Sequence, residues 1–196
     1  MKLSCHRVKN LSYIQIDEFF EAAELADVVQ EVKDLKRFSL AASKTQTAGD
    51  CKGFKKTGKG LFLDELYGKN RSASGILTHN RKIFTPKLVD YAEQFDSFFG
   101  FISESNFDTT LLNYYTSGQE YRPHKDESRI SIVAFLRQGD FTGGEFVFPD
   151  QDHVVEPVHN RAVIFPSCVT HGAMPVGGEG ARISIAQFID FKANGR

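Results

Sequence analysis

The chain has 196 residues, which is most simply one domain and is long enough to bury a core without disulfide staples. Lysine and arginine (24) nearly balance aspartate and glutamate (25), so the charge indicates neither nucleic acid nor an anionic membrane surface as an obligate partner. The three separated cysteines without a CxxC pair, and the lack of a signal-peptide pattern or a run of about 18 apolar residues, predict a soluble cytoplasmic protein with reduced thiols.

The first half predicts helices mixed with short strands. SYIQI predicts a strand, and Asp17 stands at the N-cap position of a helix over EFFEAAELADVVQEVKDL, whose apolar residues recur at helical spacing. RFSLAAS is a candidate strand. TPKLVDYAEQFDSFFGFI has a threonine cap, a proline in its first turn and helical periodicity, which together predict a second helix.

Residues 43–60, SKTQTAGDCKGFKKTGKG, lose apolar periodicity, which predicts a long mobile loop. GFKKTGKG matches part of a phosphate-binding loop, but Gly60 replaces the Ser or Thr that would hold magnesium, and no apolar strand precedes it. We therefore interpret the segment as a basic flap near a substrate entrance. Its lysines are Lys52, Lys55, Lys56 and Lys59.

From Phe107 onward, short apolar runs are separated by turn residues. The runs are FDTTLLNYY, RISIVAFL, GEFVF, HVVEPV, RAVIFP, VTHGAMPV and ARISIAQFI. Many of the 18 phenylalanines alternate with polar residues here, which indicates strands that pack an aromatic core. The spacing leaves no room for helices, so we expect an α+β domain with a jelly-roll core over residues 107–191, supported by the helices, strands and flap of residues 1–106.

A candidate metal site begins at the step from His124 to Asp126. In an extended chain both side chains leave the same face, and Lys125 points the other way. A second histidine would complete the facial triad of non-haem Fe(II) sites, which leaves three coordination positions open. Three later histidines are available, namely His153, His159 and His171. We favour His171 because it begins a β-like segment, whereas the other two follow or occupy turns.

Arg182 and Ser184 lie two residues apart in ARISIAQF, so they share one face of a predicted strand. A planar guanidinium and a hydroxyl directed to one side suit the binding of a carboxylate. This pair therefore predicts an anion-binding position on the same β-core.

The ordered motifs resemble a known family. YTSGQEYRPHKD is similar to the Tyr-x-x-Gly-x-x-Tyr-x-x-His-x-Asp signature of prolyl 4-hydroxylase-like Fe(II)- and 2-oxoglutarate-dependent oxygenases. FTGGEFVFPD, VEPVHNRAVIFP and HGAMPV continue the match over roughly residues 107–190. The resemblance implies a double-stranded β-helix (jelly roll), with iron held by His124, Asp126 and His171. It also implies binding of 2-oxoglutarate by Arg182 and Tyr115.

Two positions depart from common patterns of that family. Phe135 stands where some members have a second tyrosine, so a hydrogen bond to 2-oxoglutarate must be lost or come from Ser184. Arg182 stands where many collagen-type enzymes have lysine. The implied cofactors are Fe(II), 2-oxoglutarate and O₂, with ascorbate as a candidate reductant. Zinc, manganese or nickel also suit such a triad.

The resemblance implies hydroxylation of a C–H bond, with a prolyl residue in a peptide or protein as the leading substrate. The flap corresponds in position to the loop that folds over peptides in prolyl hydroxylases. One alternative is hydroxylation of a free amino acid or other small metabolite, and another is a non-enzymatic jelly-roll binding module. Nucleic-acid demethylation is disfavoured because Phe188 stands where those enzymes carry a second arginine. Nothing in the sequence indicates the oligomeric state.

Overall fold

The computed structural model describes residues 1–45, 49–50 and 53–192. Its N-terminal half consists of β1 (Lys2–Val8), β2 (Leu11–Asp17), α1 (Ala22–Leu35), β3 (Leu40–Ala41), α2 (Ala42–Thr45), β4 (Gly49–Asp50), β5 (Gly53–Phe54), β6 (Lys59–Phe62), α3 (Leu63–Tyr67), α4 (Gly75–His79), α5 (Pro86–Phe95) and α6 (Phe101–Glu104). Short 3₁₀ helices lie at Lys36–Phe38, Arg71–Ala73, Asn80–Phe84 and Ser97–Gly100. Across these described ranges, no helix has the length and apolarity needed to cross a membrane.

The second half is built from strands. They are β7 (Phe107–Tyr115), β8 (Tyr121–His124), β9 (Ile130–Gln138), β10 (Phe141–Gly143), β11 (Phe146–Phe148), β12 (His153–Val155), β13 (Arg161–Pro166), β14 (His171–Ala173), β15 (Val176–Gly178) and β16 (Ala181–Asp190). A 3₁₀ turn at Pro149–Gln151 joins β11 to β12.

Two antiparallel sheets form the core. Within the described residues the larger sheet has the order β1-β2-β13-β9-β16-β7-β6-β3, and the smaller one has the order β12-β11-β14-β8. Side chains of both sheets share one apolar cluster, so the sheets face each other as in a jelly roll. The predicted fold class is therefore confirmed. The N-terminal strands extend the larger sheet at both edges, so residues 1–106 contribute strands to the sheet as well as helices.

The larger sheet is covered on both faces, which explains the nearly continuous apolar sequence of its central strands. On β16, Ile183 and Ile185 belong to the cluster that includes Val28 and Val32 of α1. The alternate residues of β16 face the smaller sheet, and there they meet an aromatic cluster. That cluster contains Phe135, Phe146, Phe148 and Phe165. The predicted aromatic core is thus the layer between the two sheets.

Several predicted boundaries in the first half are wrong. The first helix begins at Ala22, because Glu21 and Glu24 form a reciprocal capping box. Asp17 instead ends β2 and accepts a hydrogen bond from Arg161 Nε at 2.6 Å. The predicted strand RFSLAAS is a 3₁₀ turn, a two-residue strand and the start of α2. The helix over Pro86–Phe95 has the predicted Thr85 cap position and first-turn proline.

In the second half, β7 and β13 coincide with two predicted runs. The run VTHGAMPV is divided between β14 and β15, which pair in different sheets. The long loop predicted for residues 43–60 contains the paired strands β4 and β5 and the start of β6. Lys52 of that loop lies outside the described residues.

Asn160 clamps the segment before α1 onto the β-core. Its backbone adopts a left-handed conformation with φ of 63°. Its side-chain oxygen accepts from Phe20 N at 2.8 Å, and its side-chain nitrogen donates to Phe20 O at 2.8 Å. Its backbone N–H also donates to Phe135 O at 2.8 Å. Asparagine suits this position because it tolerates positive φ and satisfies two buried backbone groups at once.

Asn160→Ala is expected to lower the free energy of unfolding by about 3 kcal/mol, because it leaves two buried backbone groups unpaired and adds left-handed strain. Asp152→Ala is the matched control, since Asp152 is exposed and also left-handed, with φ of 54°. Chemical denaturation should show a loss of about 1 kcal/mol for the control. Equal losses in the two variants would contradict the role given to the Asn160 side chain.

Candidate active site

His124, Asp126 and His171 come together between the two sheets. His124 ends β8, Asp126 follows two residues later, and His171 begins β14, directly opposite His124 in the antiparallel register. His124 Nε2 lies 3.5 Å from Asp126 Oδ1, and His171 Nε2 lies 3.3 Å from Asp126 Oδ2. Adjacent ligands of an octahedral ion with bonds of about 2.1 Å lie about 3 Å apart, so both histidine–aspartate separations are close to those of a facial triad, and all three donors lie within 4.8 Å of one another.

Backbone carbonyl groups orient both imidazoles. His124 Nδ1 lies 3.0 Å from the carbonyl oxygen of Arg122, and His171 Nδ1 lies 2.9 Å from that of Val169. A proton held on each Nδ1 leaves the Nε2 lone pairs free to coordinate a metal. Lys125 lies between His124 and Asp126 in the sequence and is exposed, as expected for an extended chain in which neighbouring side chains point to opposite faces.

The site keeps Asp126 ionised. Burial alone would raise the pKa of Asp126, but the hydrogen bonds that His124 and His171 donate when their Nε2 atoms are protonated outweigh it and hold the pKa below its ordinary value. Burial lowers the pKa of His124, although Asp126 partly opposes this. Both directions favour the protonation states that bind a cation, namely a carboxylate and a neutral imidazole.

Ser131 of β9 orients the carboxylate. Its hydroxyl donates to Asp126 Oδ2 at 2.5 Å and also lies 2.8 Å from the hydroxyl of Ser167. Ser131 is fully buried, so this contact is shielded from water. A hydrogen-bonded group behind a ligand fixes the ligand's direction and strengthens the site.

Ser131→Ala is expected to weaken metal binding by roughly 10- to 100-fold, because the carboxylate loses its fixed orientation. Calorimetric titration of the metal-free protein with Mn(II) provides the measurement. Ser103→Ala is the control, since the exposed Ser103 hydroxyl donates to Gly100 O and has no part in the hydrogen bonds to Asp126. An unchanged Mn(II) affinity in Ser131→Ala would show that the triad needs no support from β9.

The triad opens into a narrow cavity of about 40 Å³ between the sheets. Arg182 lines this cavity and is only 2% exposed. Its guanidinium carbon lies 5.2 Å from the ring centre of Tyr115 and 5.1 Å from that of Phe135. Burial lowers the pKa of Arg182 to about 10, and its Nε is a buried donor without a hydrogen-bond partner among the described residues. Such a cation is ready to bind an anionic ligand.

The register of β16 against β7 sets the order of residues along this cavity. Arg182 pairs with Tyr115, and Ser184 pairs with Asn113. All four side chains line the cavity, since alternate residues of a strand share one face. Tyr115 is 1% exposed, and burial raises its pKa, so it stays a neutral hydroxyl. The cavity thus joins a triad of metal-ligand type to a guanidinium and two hydroxyls.

A profile of the 2OG-Fe(II) oxygenase superfamily matches residues 109–190, a range that contains the triad, Arg182, Tyr115 and Ser184. The β-core is that of a 2OG-Fe(II) oxygenase. No curated protein sequence matches the chain significantly. Members of this superfamily are dioxygenases that use Fe(II), 2-oxoglutarate and O₂, which suits the donor set of this cavity.

Solved structures show the same fold for nearly the whole chain. A Pseudomonas putida prolyl-4-hydroxylase is 19% identical, covers 94% of this chain and 95% of its own, and has a TM-score of 0.65. A Trichoplax adhaerens prolyl hydroxylase in complex with a hypoxia inducible factor peptide fragment is 16% identical, covers 91% and 83%, and has a TM-score of 0.63. The Paramecium bursaria Chlorella virus-1 collagen prolyl hydroxylase is 17% identical, covers 92% and 96%, and has a TM-score of 0.60.

The other histidines considered from the sequence have different surroundings in the structure. His153 Nε2 lies 2.8 Å from the hydroxyl of Tyr13. His159 Nδ1 accepts a hydrogen bond from the backbone of Arg137 at 3.0 Å. Neither belongs to the metal-type cluster that the described residues form.

The lysines assigned to the flap separate into different environments. Lys59 is exposed and Lys55 is half-buried, but Lys56 is only 2% exposed. Burial lowers the pKa of Lys56 to about 7. The position of Lys56 therefore contradicts the expectation that it belongs to an open basic loop, because its side chain is buried beside the cavity.

Several glycines make room for the site, and sequence reasoning did not single them out. A Cβ at Gly58 would lie 2.6 Å from Tyr115 Cδ1, and a Cβ at Gly144 would lie 3.1 Å from Arg182 Cδ. At Gly172 a Cβ would lie 2.9 Å from Tyr121 O, so β14 can approach β8 closely only without a side chain there. Asn113 was also missed, although it lies two residues before Tyr115 and therefore on the same strand face.

Proposed function

We propose that this oxygenase hydroxylates a C–H bond of a prolyl residue in a peptide or protein. The observation that carries this proposal is a second, wider groove of about 520 Å³ that adjoins the inner cavity. The groove and the cavity share Leu111, Tyr121, Asp126 and Phe188. A bound chain can therefore lie in the groove and place one residue beside the triad.

The lining of the groove suits a proline ring in an extended peptide. Phe62, Phe107 and Phe188 are half-buried and present aromatic surface along it. Lys125 and Glu127 add polar groups at the same opening. Aromatic surfaces are a recurrent way to bind proline-rich segments, because proline's preset backbone costs little entropy on binding.

The residues of the inner cavity would bind the metal ion and 2-oxoglutarate. His124, Asp126 and His171 would hold Fe(II), and Arg182, with Tyr115 and Ser184, would bind the distal carboxylate of 2-oxoglutarate. When bound, these cofactors supply oxidative decarboxylation of 2-oxoglutarate to succinate and CO₂, with transfer of one oxygen atom of O₂ to the substrate. The aromatic layer of Phe135 and Phe146 keeps water away from this space. Ascorbate would serve as the reductant that restores Fe(II).

The solved relatives support the proposal. The three solved relatives described above are a prolyl-4-hydroxylase and two prolyl hydroxylases, and the Trichoplax adhaerens protein was solved with a peptide fragment. A substrate that is a peptide agrees with the open groove seen in this chain. The compact inner cavity alone would also admit a small metabolite, so free proline belongs in the test.

The test is incubation with Fe(II), 2-oxoglutarate, ascorbate and a library of proline-containing peptides, followed by mass spectrometry. We expect a gain of one oxygen atom on proline together with succinate formation. The His124→Ala protein should give neither product. Modification of free proline alone would replace the peptide proposal by the small-metabolite alternative. Ligand binding that survives in His124→Ala, without turnover in either protein, would indicate a non-enzymatic binding module.

A further inference from the structure

Residues 55–57 are hydrogen-bonded to the strand that carries His124. Arg122 N donates to Lys55 O at 2.9 Å, and Thr57 N donates to Glu120 O at 3.0 Å. Glu120 N donates to the Thr57 hydroxyl at 2.8 Å, and Lys56 forms a β-bridge with Tyr121. This short segment is therefore a fixed side wall of the active site that joins the edge of the larger sheet to β8.

The side chain of Lys56 runs from this wall toward the cavity. Its ammonium group donates a hydrogen bond to Asn113 Oδ1, and Asn113 lines the cavity. The ammonium group passes over Gly60, where a Cβ would collide with it. Glycine at position 60 is thus the condition for Lys56 to reach Asn113. The sequence KTGKG, interpreted above as a loose basic loop, is a strand edge shaped around one buried lysine.

The buried ammonium group has no carboxylate partner among the described residues. Burying an ammonium group without a counter-charge is costly, and a partner that arrives with a ligand would remove this cost. Burial lowers the pKa of Lys56 to about 7, and a carboxylate placed beside the amine would favour its charged form.

We propose that Lys56, acting with Asn113, binds a carboxylate of the substrate that is oxidised. The assignment rests on the proposed function, since it concerns the second substrate of the same site. The carboxylate has two possible sources, namely the α-carboxylate of a C-terminal or free proline, and an acidic side chain next to the proline. The donor toward this group would be Asn113 Nδ2, which also donates to Leu111 O at 3.3 Å, while Lys56 supplies the charge behind Asn113 Oδ1.

Turnover of paired substrates tests the proposal and separates the two sources. One pair is N-acetylproline and its amide, and the other is a peptide with an internal proline flanked by Asp or by Asn. The wild-type protein is expected to prefer the carboxylate of at least one pair by roughly tenfold or more in kcat/KM, as one charge-assisted hydrogen bond allows. Lys56→Met should bring that ratio near one, while Lys56→Arg should retain part of it.

The control is Lys69→Met, which removes an exposed lysine after α3 and should leave the preference unchanged. The KM for 2-oxoglutarate should stay within about threefold of wild type in Lys56→Met, because the proposal leaves 2-oxoglutarate to Arg182. A carboxylate preference that persists in Lys56→Met would overturn the proposal. So would a defect confined to the KM for 2-oxoglutarate, which would place Lys56 with the cosubstrate.

A binding measurement keeps this test independent of proline hydroxylation. Propionate and propionamide are titrated calorimetrically into the protein loaded with Mn(II) and 2-oxoglutarate, so that no turnover occurs. We expect propionate to bind the wild-type protein more tightly than propionamide, and this difference to vanish in Lys56→Met. Equal binding of both probes to the wild-type protein would refute the carboxylate subsite. Lys56-dependent binding of propionate without hydroxylation of any proline probe would refute only the proposed function.

Discussion

Asp126→Asn should lower the affinity of the protein for Fe(II) or Mn(II) by at least about 100-fold and reduce turnover to background. Loss of a group that only supports a ligand costs up to about 100-fold in metal affinity, and loss of a ligand's charge should cost at least as much. Asp126 supplies the only carboxylate of the metal-type cluster found among the described residues, and both histidine Nε2 atoms lie beside it. The amide is similar in size but carries no charge, so the change isolates the ligand's charge and donor strength.

The loss can be measured without turnover. A metal ion that binds only the folded protein stabilises it, and at a concentration 100 times its Kd it adds about 2.7 kcal/mol to the free energy of unfolding. We expect Mn(II) to raise the melting temperature of the wild-type protein and to leave that of Asp126→Asn nearly unchanged. Asp150→Asn, an exposed change of the same type, is the control and should respond like wild type. A full Mn(II) response in Asp126→Asn would place the metal elsewhere.

The strands of the second half could be predicted because burial on both faces makes their sequences apolar and turn residues mark their ends. β7 and β13 match the predicted runs residue for residue. The sequence also predicted which residues share a strand face, because the two-residue period puts His124 on the same face as Asp126, and Arg182 on the same face as Ser184. The pairing of His171 with His124, by contrast, depends on contacts between distant strands.

The first half was harder to predict because its signals are local and weak. β1 is an edge strand whose side chains are exposed or half-buried, so its sequence KLSCHRV lacks the alternation that predicts a strand. By residue type Asp17 is a better cap than Glu21, but Asp17 pairs with Lys2 at the end of β2 and with Arg161, and the helix begins at Ala22. Tertiary contacts decided both cases.

Lys56 shows where composition misleads. A lysine between glycines in a polar segment is typical of a solvent-exposed loop. Its burial follows from hydrogen bonds between residues 55–57 and 120–122 and from the missing side chain at Gly60, and neither can be inferred from the segment alone. Gly60, which argued against a phosphate-binding loop, is instead the residue that admits the ammonium group to the site.

Arg182→Met should weaken the binding of 2-oxoglutarate by about 100-fold, because the ligand's distal carboxylate loses the planar donor pair of the guanidinium. Arg182→Lys retains the positive charge but lacks the planar donor pair, so it should bind 2-oxoglutarate about tenfold more weakly than wild type. Calorimetric titration of 2-oxoglutarate into the Mn(II)-loaded proteins provides both values. Affinities within threefold of wild type in both variants would show that another group binds the carboxylate.

The stability of the ligand-free protein distinguishes this binding role from a structural one. Arg182 is 2% exposed, forms no ion pair among the described residues and has an unpartnered Nε, so its charge is buried at a cost to the folded protein. Methionine fills similar space without that cost, so ligand-free Arg182→Met should melt no lower than wild type. Its melting temperature should then rise much less on addition of 2-oxoglutarate. A structural arginine would give the opposite result, with a lower melting temperature and an unchanged response to the ligand.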